Sequence, residues 1–241
     1  MSQTDAPGHH ENWSDQEFVS EWIEKQKDRE SVRSEQFALL RAIIPFDENS
    51  SFRYLNVGAG PGPLDALMLE RYPNAHATLL DGSSVMLDSA RKVLAPFGER
   101  ADFLQANLEE PEWRNSFSSS FDVVFSCIAI HNLEDPSRIR KLYQEIYDVM
   151  APGGMFVNMD YVRVPSPILR FLAEWANSDR KSNFQRGGGR ASLPGTLDEQ
   201  ILWLREAGFS PVDCFWRHFS IALFGGFKGE PHIPTPDQRN G

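Results

Sequence analysis

Residues Tyr54-Leu55-Asn56-Val57 form an apolar run that ends in the glycine loop Gly58-Ala59-Gly60-Pro61-Gly62-Pro63, and Asp81 closes a second apolar run, Ala77-Thr78-Leu79-Leu80. The separation is that of one strand–helix–strand unit, which commits this part of the chain to a parallel sheet with a crossover helix. Glycines are wanted where a strand turns tightly into a helix and the backbone must come within contact distance of a ligand, because a Cβ there collides or forbids positive φ. The helix start behind such a loop favours an anion. An acidic residue ending the next strand, as Asp81 does, accepts two hydrogen bonds from a ribose diol. Together the loop and Asp81 predict a nucleoside site.

Two neighbouring readings are excluded by the same residues. The dinucleotide fingerprint G-x-G-x-x-G needs a third glycine for close packing of helix on strand, and that position here is Pro63. Proline fits the first turn of a helix but does not supply that packing. A phosphate-binding loop of the Walker type requires a following Gly-Lys-Ser/Thr, and none follows.

Beyond the loop, apolar runs alternate with amphipathic ones, the order of a doubly wound α/β sheet. The periodicity predicts helices over 64–72 and 84–94, strands over 75–80 and 102–105, and a helix opening at Asp135-Pro136 with the stripe Ile139, Leu142, Tyr143, Ile146, Tyr147 and Met150. A fifth strand is predicted over 155–159, and a helix opening at Ser166-Pro167 and running through Phe171 and Trp175. Thr196-Leu197-Asp198-Glu199 is a capping box whose helix ends at Gly208, leaving closing strands near 212–216 and 219–224. At the amino terminus Ser14-Asp15-Gln16-Glu17 reads as another capping box, followed by Phe18, Trp22 and Ile23 on one face; a second helix carries Phe37, Leu40, Ile43 and Ile44. The divisions expected are an amino-terminal helical lid over 1–50, an α/β core over 51–228 interrupted by a helical and basic insertion over 163–195, and a disordered tail over 229–241.

Several stretches extend the first motif in order. Asp81-Gly82-Ser83-Ser84-Val85-Met86-Leu87 is similar to the D-x-S-x-x-M-L of class I S-adenosylmethionine-dependent methyltransferases; Ala106-Asn107-Leu108, Phe121-Asp122-Val123-Val124-Phe125-Ser126-Cys127 and Met150-Ala151-Pro152-Gly153-Gly154 resemble the later motifs of the same family. The resemblance covers residues 52–224. It implies a Rossmann-like fold whose seven-stranded, mostly parallel sheet has an antiparallel last strand. It also implies S-adenosyl-L-methionine as cofactor, with S-adenosyl-L-homocysteine as product, and a cofactor site made by Gly58, Ala59, Gly60, Asp81, Gly82, Ser83, Met86, Asn107, Leu108 and Ser126. In the family the Met side chain packs on the adenine, the turn at Asn107 reads its amino edge, and the end of the fourth strand touches the methionine part. Asn56 stands where the family usually has an acidic residue, and Gly82 where it has an aliphatic one. Residues 128–162 and 200–228 look most like small methyltransferases related to the transfer-RNA carboxymethoxyuridine and quinone-ring C-methyltransferases.

Charge bears on the acceptor. The 241 residues carry a formal net charge of −10, which disfavours a large polyanionic partner because nucleic-acid affinity is dominated by Lys and Arg on phosphates. The local exception is the segment 179–190 with Arg180, Lys181, Arg186 and Arg190, on which a transfer-RNA or other RNA acceptor rests as the alternative. A small, partly apolar acceptor is the primary expectation, and a non-catalytic cofactor-binding module is the reading from another class. Cys127 and Cys214 lie inside apolar strand patterns and read as buried thiols; no Cys/His metal spacing occurs, and His9 and His10 lie in the polar leader. No export signal or membrane-length apolar run is present, so a cytoplasmic location without membrane contact is expected. The oligomeric state is left open, a homodimer among the options.

Ligands in such sheets bind beyond the carboxyl ends of the strands near the switch point, so catalytic groups must come from there. His131, just after the fourth strand, is the candidate base, histidine being the side chain whose reference pKa suits proton transfer near neutrality. Asp160 and Tyr161, after the fifth strand, are candidates to orient a polar acceptor. Trp13, Trp22, Arg29 and Arg33 of the lid are candidates to cover the site, an arginine there being able to meet the cofactor carboxylate bidentately.

Overall fold

The computed structural model describes residues 13, 15–27, 30–178 and 194–231. Seven strands form one sheet in the order β3-β2-β1-β4-β5-β7-β6: β1 (Arg53–Val57), β2 (His76–Asp81), β3 (Ala101–Gln105), β4 (Phe121–Cys127), β5 (Met150–Tyr161), β6 (Val212–His218) and β7 (Ile221–Phe227). β7 runs antiparallel to both neighbours and the remaining pairs are parallel. This is the Rossmann-like methyltransferase arrangement anticipated. Because the order reverses between β1 and β4, their carboxyl ends splay apart and leave a crevice there.

Both faces of the sheet are covered, which explains why the central strands read as continuous apolar runs. Period-two alternation sends Tyr54 and Asn56 to one face and Leu55 and Val57 to the other. On the first face pack α2 (Glu30–Ala42), α3 (Pro63–Arg71) and α4 (Ser84–Leu94), through Leu40, Met68, Leu69 and Ala90; α1 (Gln16–Lys27) lies beyond them. On the second pack α5 (Pro136–Val149) and α7 (Leu197–Glu206), through Ile139, Leu142, Ile146 and Leu204. The α5 stripe follows the helical period, and each fully buried side chain in it contributes about 1.5–3 kcal/mol.

Helix ends follow the local chemistry. Ser83 caps α4 by accepting from the Met86 amide, and Asp135 caps α5 by accepting from the Ser137 amide at 2.8 Å. Thr196 and Glu199 form the expected reciprocal capping box, and Gly208 ends α7 with φ +102°. At α1 the cap is Asp15, whose carboxylate accepts from the Phe18 amide at 2.9 Å, while Ser14 lies outside the described residues. Among the α1 side chains described, Val19 is the buried one; Phe18, Trp22 and Ile23 are only partly covered.

Two departures concern β5 and the insertion. The strand begins at Met150, not Met155, because Phe121 pairs with Met150 and Val123 with Met155, so the Pro152-Gly153-Gly154 turn bulges from one continuous strand. A Cβ on Gly154 would lie 2.9 Å from the Asp122 and Ala151 carbonyl oxygens, which requires glycine there. After β5 the chain leaves and returns at one point, where Arg163 bridges Thr196 and donates its amide to Gly195 at 2.7 Å. Within that excursion α6 (Pro167–Ser178) leaves Ile168, Phe171 and Trp175 largely exposed. The basic segment 179–190, Arg29, the side chain of Arg33, His9, His10 and residues 232–241 of the tail lie outside the described residues. Among the described residues no helix is long and apolar enough to cross a membrane, and no group of three His, Cys, Asp or Glu side chains could hold a metal ion.

Candidate cofactor cleft and histidine dyad

A cleft of about 480 Å³ opens at the carboxyl ends of β1, β2 and β4. Gly58, Ala59 and Gly60 line one wall; Asp81, Gly82, Ser83 and Met86 the next; Asn107 and Leu108 the far end. Trp13, just ahead of α1, and Trp22, Gln36 and Phe37 of the amino-terminal helices face it, with Trp13 and Trp22 edge to face at 5.4 Å.

The glycine loop has spent most of its donors. The Gly58 and Ala59 amides both donate to the Leu80 carbonyl, at 2.8 and 3.0 Å, and the Gly60 amide donates to Asp81 Oδ2 at 2.8 Å. Pro61 and Pro63 have no N–H to offer. The loop thus turns three of its four amides onto β2, and the Gly62 amide at the helix start is the one without an acceptor among the described residues. Asp81 also accepts from the Ser83 amide at 2.8 Å, leaving one lone pair on each oxygen for a ligand. Burial pushes its carboxyl above the ordinary range, against the pull of these two amides.

The glycines are explained by packing more than by a ligand. Gly58 has φ +71° and a Cβ there would lie 2.4 Å from Ala129 Cβ, so the loop can close on the end of β4 only with glycine. Gly62, at φ +87°, where a Cβ would lie 3.1 Å from Ala90 Cβ, provides the close contact with α4 that Pro63 does not. Only at Gly60 would a Cβ meet open space.

The far end is braced from behind. Arg138 donates its Nε to the Leu108 carbonyl at 2.6 Å and both terminal nitrogens to Glu145, at 2.9 and 2.7 Å. Trp113 Nε1 donates to the same carboxylate at 2.7 Å. All three side chains are buried, and sequence reasoning passed over them because they read as an ordinary helix face and a loop aromatic. Asn107 Oδ1 accepts from the Glu109 amide at 3.0 Å, closing the turn and leaving its Nδ2 as the side-chain donor. Across the cleft, Ile128 follows β4 at φ +54°, a strained conformation for a β-branched residue, held where its amide donates to the Met159 carbonyl at 2.7 Å.

Ser126 is placed elsewhere than expected. It does not line the cleft: it is fully buried, with Oγ donating to the Val57 carbonyl at 2.7 Å, so its hydroxyl ties β4 to β1. The floor holds a pair that sequence reasoning half missed. Asn56 lines the cleft at 2 % exposure and donates Nδ2 to Asp65 Oδ2 at 2.8 Å; Asp65 on α3 is 0 % exposed. Burial raises the Asp65 carboxyl from the ordinary 3.8 to about 7, the Asn56 bond offsetting part of the rise.

His131, Asp160 and Tyr161 come together beside the cleft rather than in its lining. His131 Nδ1 lies 2.6 Å from Asp160 Oδ1, and the same carboxylate accepts from the His131 amide at 2.9 Å and the Tyr161 amide at 2.8 Å. The two side chains are 8 % and 4 % exposed, and the Tyr161 ring stands edge-on to His131 at 5.2 Å. A carboxylate on Nδ1 fixes the imidazole with its proton there and leaves Nε2 as the acceptor. Asn132 and Leu133, the next residues, do line the cleft.

Comparison with known proteins bears on the family and the fold. Residues 55–154 match the family model described as a methyltransferase domain. The chain is 31 % identical over 199 residues to the ubiquinone/menaquinone biosynthesis C-methyltransferase UbiE of Bartonella bacilliformis, covering 74 % of this chain and 72 % of that one. It is 22 % identical over 200 residues to a carboxy-S-adenosyl-L-methionine synthase of Campylobacter lari, covering 79 % and 83 %. Among solved structures, PigF with S-adenosylhomocysteine matches with TM-score 0.64 at 16 % identity, over 90 % of this chain and 60 % of that one. Human N-acetylserotonin methyltransferase in complex with S-adenosylmethionine matches with TM-score 0.61 at 17 % identity, over 90 % and 57 %. The chain thus spans about three fifths of these solved chains, and the likeness at such identity is one of fold. From the relative that shares nearly a third of its residues across most of both lengths, the chain belongs to the class I S-adenosylmethionine-dependent methyltransferases.

Proposed function

We propose that the cleft is the S-adenosylmethionine site and that the enzyme methylates a small, partly apolar acceptor admitted beneath Trp13 and Trp22. The observation that carries this is the loop whose Gly58, Ala59 and Gly60 amides are turned onto β2 beside an acidic Asp81: such a wall offers a pyrophosphate little and suits a nucleoside that carries a diol and a positive charge but no phosphate. Asp81 would accept from the ribose hydroxyls, Met86 and Leu108 would bound the adenine, and Gly58 to Gly60 would lie along the rest. When bound, the cofactor supplies an electrophilic sulfonium methyl. The task of the chain is to hold an acceptor in line with it and keep water out, which the aromatic helices favour.

In this reading His131 takes the acceptor proton at Nε2 while Asp160 holds Nδ1 and stabilises the imidazolium, and Tyr161 fixes the ring from its edge. The named relative acts in quinone biosynthesis as a C-methyltransferase, which supports an aromatic acceptor ring bearing an ionisable hydroxyl. The alternative RNA acceptor rests on residues outside those described, so no contact on the described surface favours it. A test is methyl transfer from labelled S-adenosylmethionine to a panel of phenols, naphthols, amines and bulk transfer RNA. Turnover confined to hydroxylated rings supports the reading, whereas turnover confined to RNA, or binding without any turnover, refutes it.

A further inference from the structure

Gln36 is the polar member of an apolar helix face. On α2 it precedes Phe37 and stands one turn before Leu40, both buried in the core, and it is itself only 6 % exposed while lining the cleft. Its side-chain amide makes no hydrogen bond to another described residue. Yet neither Oε1 nor Nε2 is among the buried side-chain atoms sealed away without a partner, which are Arg41 Nε, Asn56 Oδ1, Asp65 Oδ1 and Asn158 Oδ1. The amide is therefore withdrawn from bulk water but open to the cleft. A buried amide without partners is rare, because it loses water and gains nothing in exchange, and one that opens on a cleft has a ligand as its remaining partner.

The side from which Gln36 enters decides between cofactor and acceptor. Asp81, Met86, Asn107 and Leu108, which would take the nucleoside, come from β2, α4 and the turn after β3, on one side of β1. α2 packs across β5, on the other side of β1, and its Phe37 belongs to the cluster against which Tyr161 packs, the ring that stands edge-on to His131. Gln36 thus reaches the cleft from the side of the candidate base. An uncharged amide serves an ionic group less well than an ion does, but it matches a hydroxyl or carbonyl oxygen: Nε2 donates to either, and Oε1 accepts from a hydroxyl. We propose that Gln36 is a specificity-determining residue for the acceptor: it hydrogen-bonds a second ring oxygen while the first gives its proton to His131 Nε2, so that the preferred acceptor is an aromatic ring bearing two oxygens. The proposal rests on the reading of the cleft as the site of methyl transfer and of His131 as the base.

Methyl transfer from labelled S-adenosylmethionine to naphthols and to the matching dihydroxynaphthalenes, by wild type and Gln36→Met, measures the contact as a ratio of kcat/KM values. Methionine keeps the length of the side chain and loses the amide; because that amide has no partner in the protein to strand, the variant should fold as wild type does. Wild type should favour the dihydroxy acceptors, and Gln36→Met should cut the ratio by about tenfold or more, since a site that bonds a hydroxyl discriminates against a ring lacking it. A preference that comes from the reactivity of the ring itself survives the substitution, so an unchanged ratio would overturn the proposal. Equal kcat/KM of wild type for the two series would overturn it without needing any variant. Titration calorimetry with S-adenosylhomocysteine separates acceptor from cofactor: its affinity for Gln36→Met should stay within about twofold of wild type. A loss there as large as the loss in kcat/KM would give the amide to the cofactor and overturn the proposal. Wild type that binds S-adenosylhomocysteine but methylates neither series would refute the hydroxylated-ring reading and this proposal with it.

Discussion

Replacing Asp65 with Asn should change how stability depends on pH, and the size follows from burial. The folded carboxyl titrates near 7 instead of 3.8, because no water reaches it and its partner is a neutral amide. Hydrogen bonds from Asn56, from its own backbone and from the Tyr54 hydroxyl, which burial holds neutral, offset only part of that rise. Between the two pKa values the folded protein binds more protons at this site than the unfolded chain, so stability falls as pH rises through that window and levels off above it. A rise of this size costs about 4 kcal/mol once the group is fully ionised, of which about 2–3 kcal/mol accrues between pH 5 and pH 8. Asn cannot ionise and loses none of it. Urea denaturation of both proteins without cofactor, at pH 5, 6, 7 and 8, gives the difference in unfolding free energy, from which the other carboxylates cancel. Asp65→Asn should gain on wild type steadily up to about pH 7 and hold its advantage beyond. A difference that is flat with pH would refute the reasoning, by showing that Asp65 already titrates as an exposed carboxylate does.

Other substitutions test other contacts. His131→Ala should slow transfer by about 10²–10⁴ while leaving S-adenosylhomocysteine affinity within about twofold, and an unchanged rate would remove it from the mechanism. Gly58→Ala places a methyl against Ala129 at positive φ and should cost about 2–4 kcal/mol by thermal or urea melts; adding Ala129→Gly should recover the steric part only. Arg138→Met strands the buried Glu145 charge and should cost about 3–5 kcal/mol. Its partner change Glu145→Leu should return much of that stability but not the cofactor affinity, because the Leu108 carbonyl still lacks its donor.

What could be read from the residues was whatever local chemistry dictates. α4 begins at Ser84 and ends at Leu94 as its serine cap and apolar stripe require, and the Thr196 capping box is present on both sides. The strand–loop–Asp81 unit is legible because glycine at positive φ and an acidic strand end leave few alternatives. What stayed hidden depends on contacts between distant segments. Asp65 looks like an acidic residue favourably placed in a solvated first helical turn, and only the packing of α3 on β1 shows that it is sealed against Asn56. The spending of the loop amides on Leu80 and Asp81 follows from the register between β1 and β2, which no motif records. Ser126 sits at the right strand end but points into the sheet, and Val19 takes the buried place on α1 that the bulkier Phe18 and Trp22 suggested for themselves. The bulge after Met150 is invisible because a Pro-Gly-Gly turn ordinarily ends a strand rather than interrupting one.

The most direct test of the central claim is calorimetric titration of the wild-type protein and Asp81→Ala with S-adenosylmethionine, with NADH as the competing nucleoside. Saturable binding of S-adenosylmethionine, weakened by about 1–3 kcal/mol in Asp81→Ala with no measurable binding of NADH, is the predicted result. Binding that Asp81→Ala leaves intact, or a preference for NADH, would contradict the assignment of this cleft.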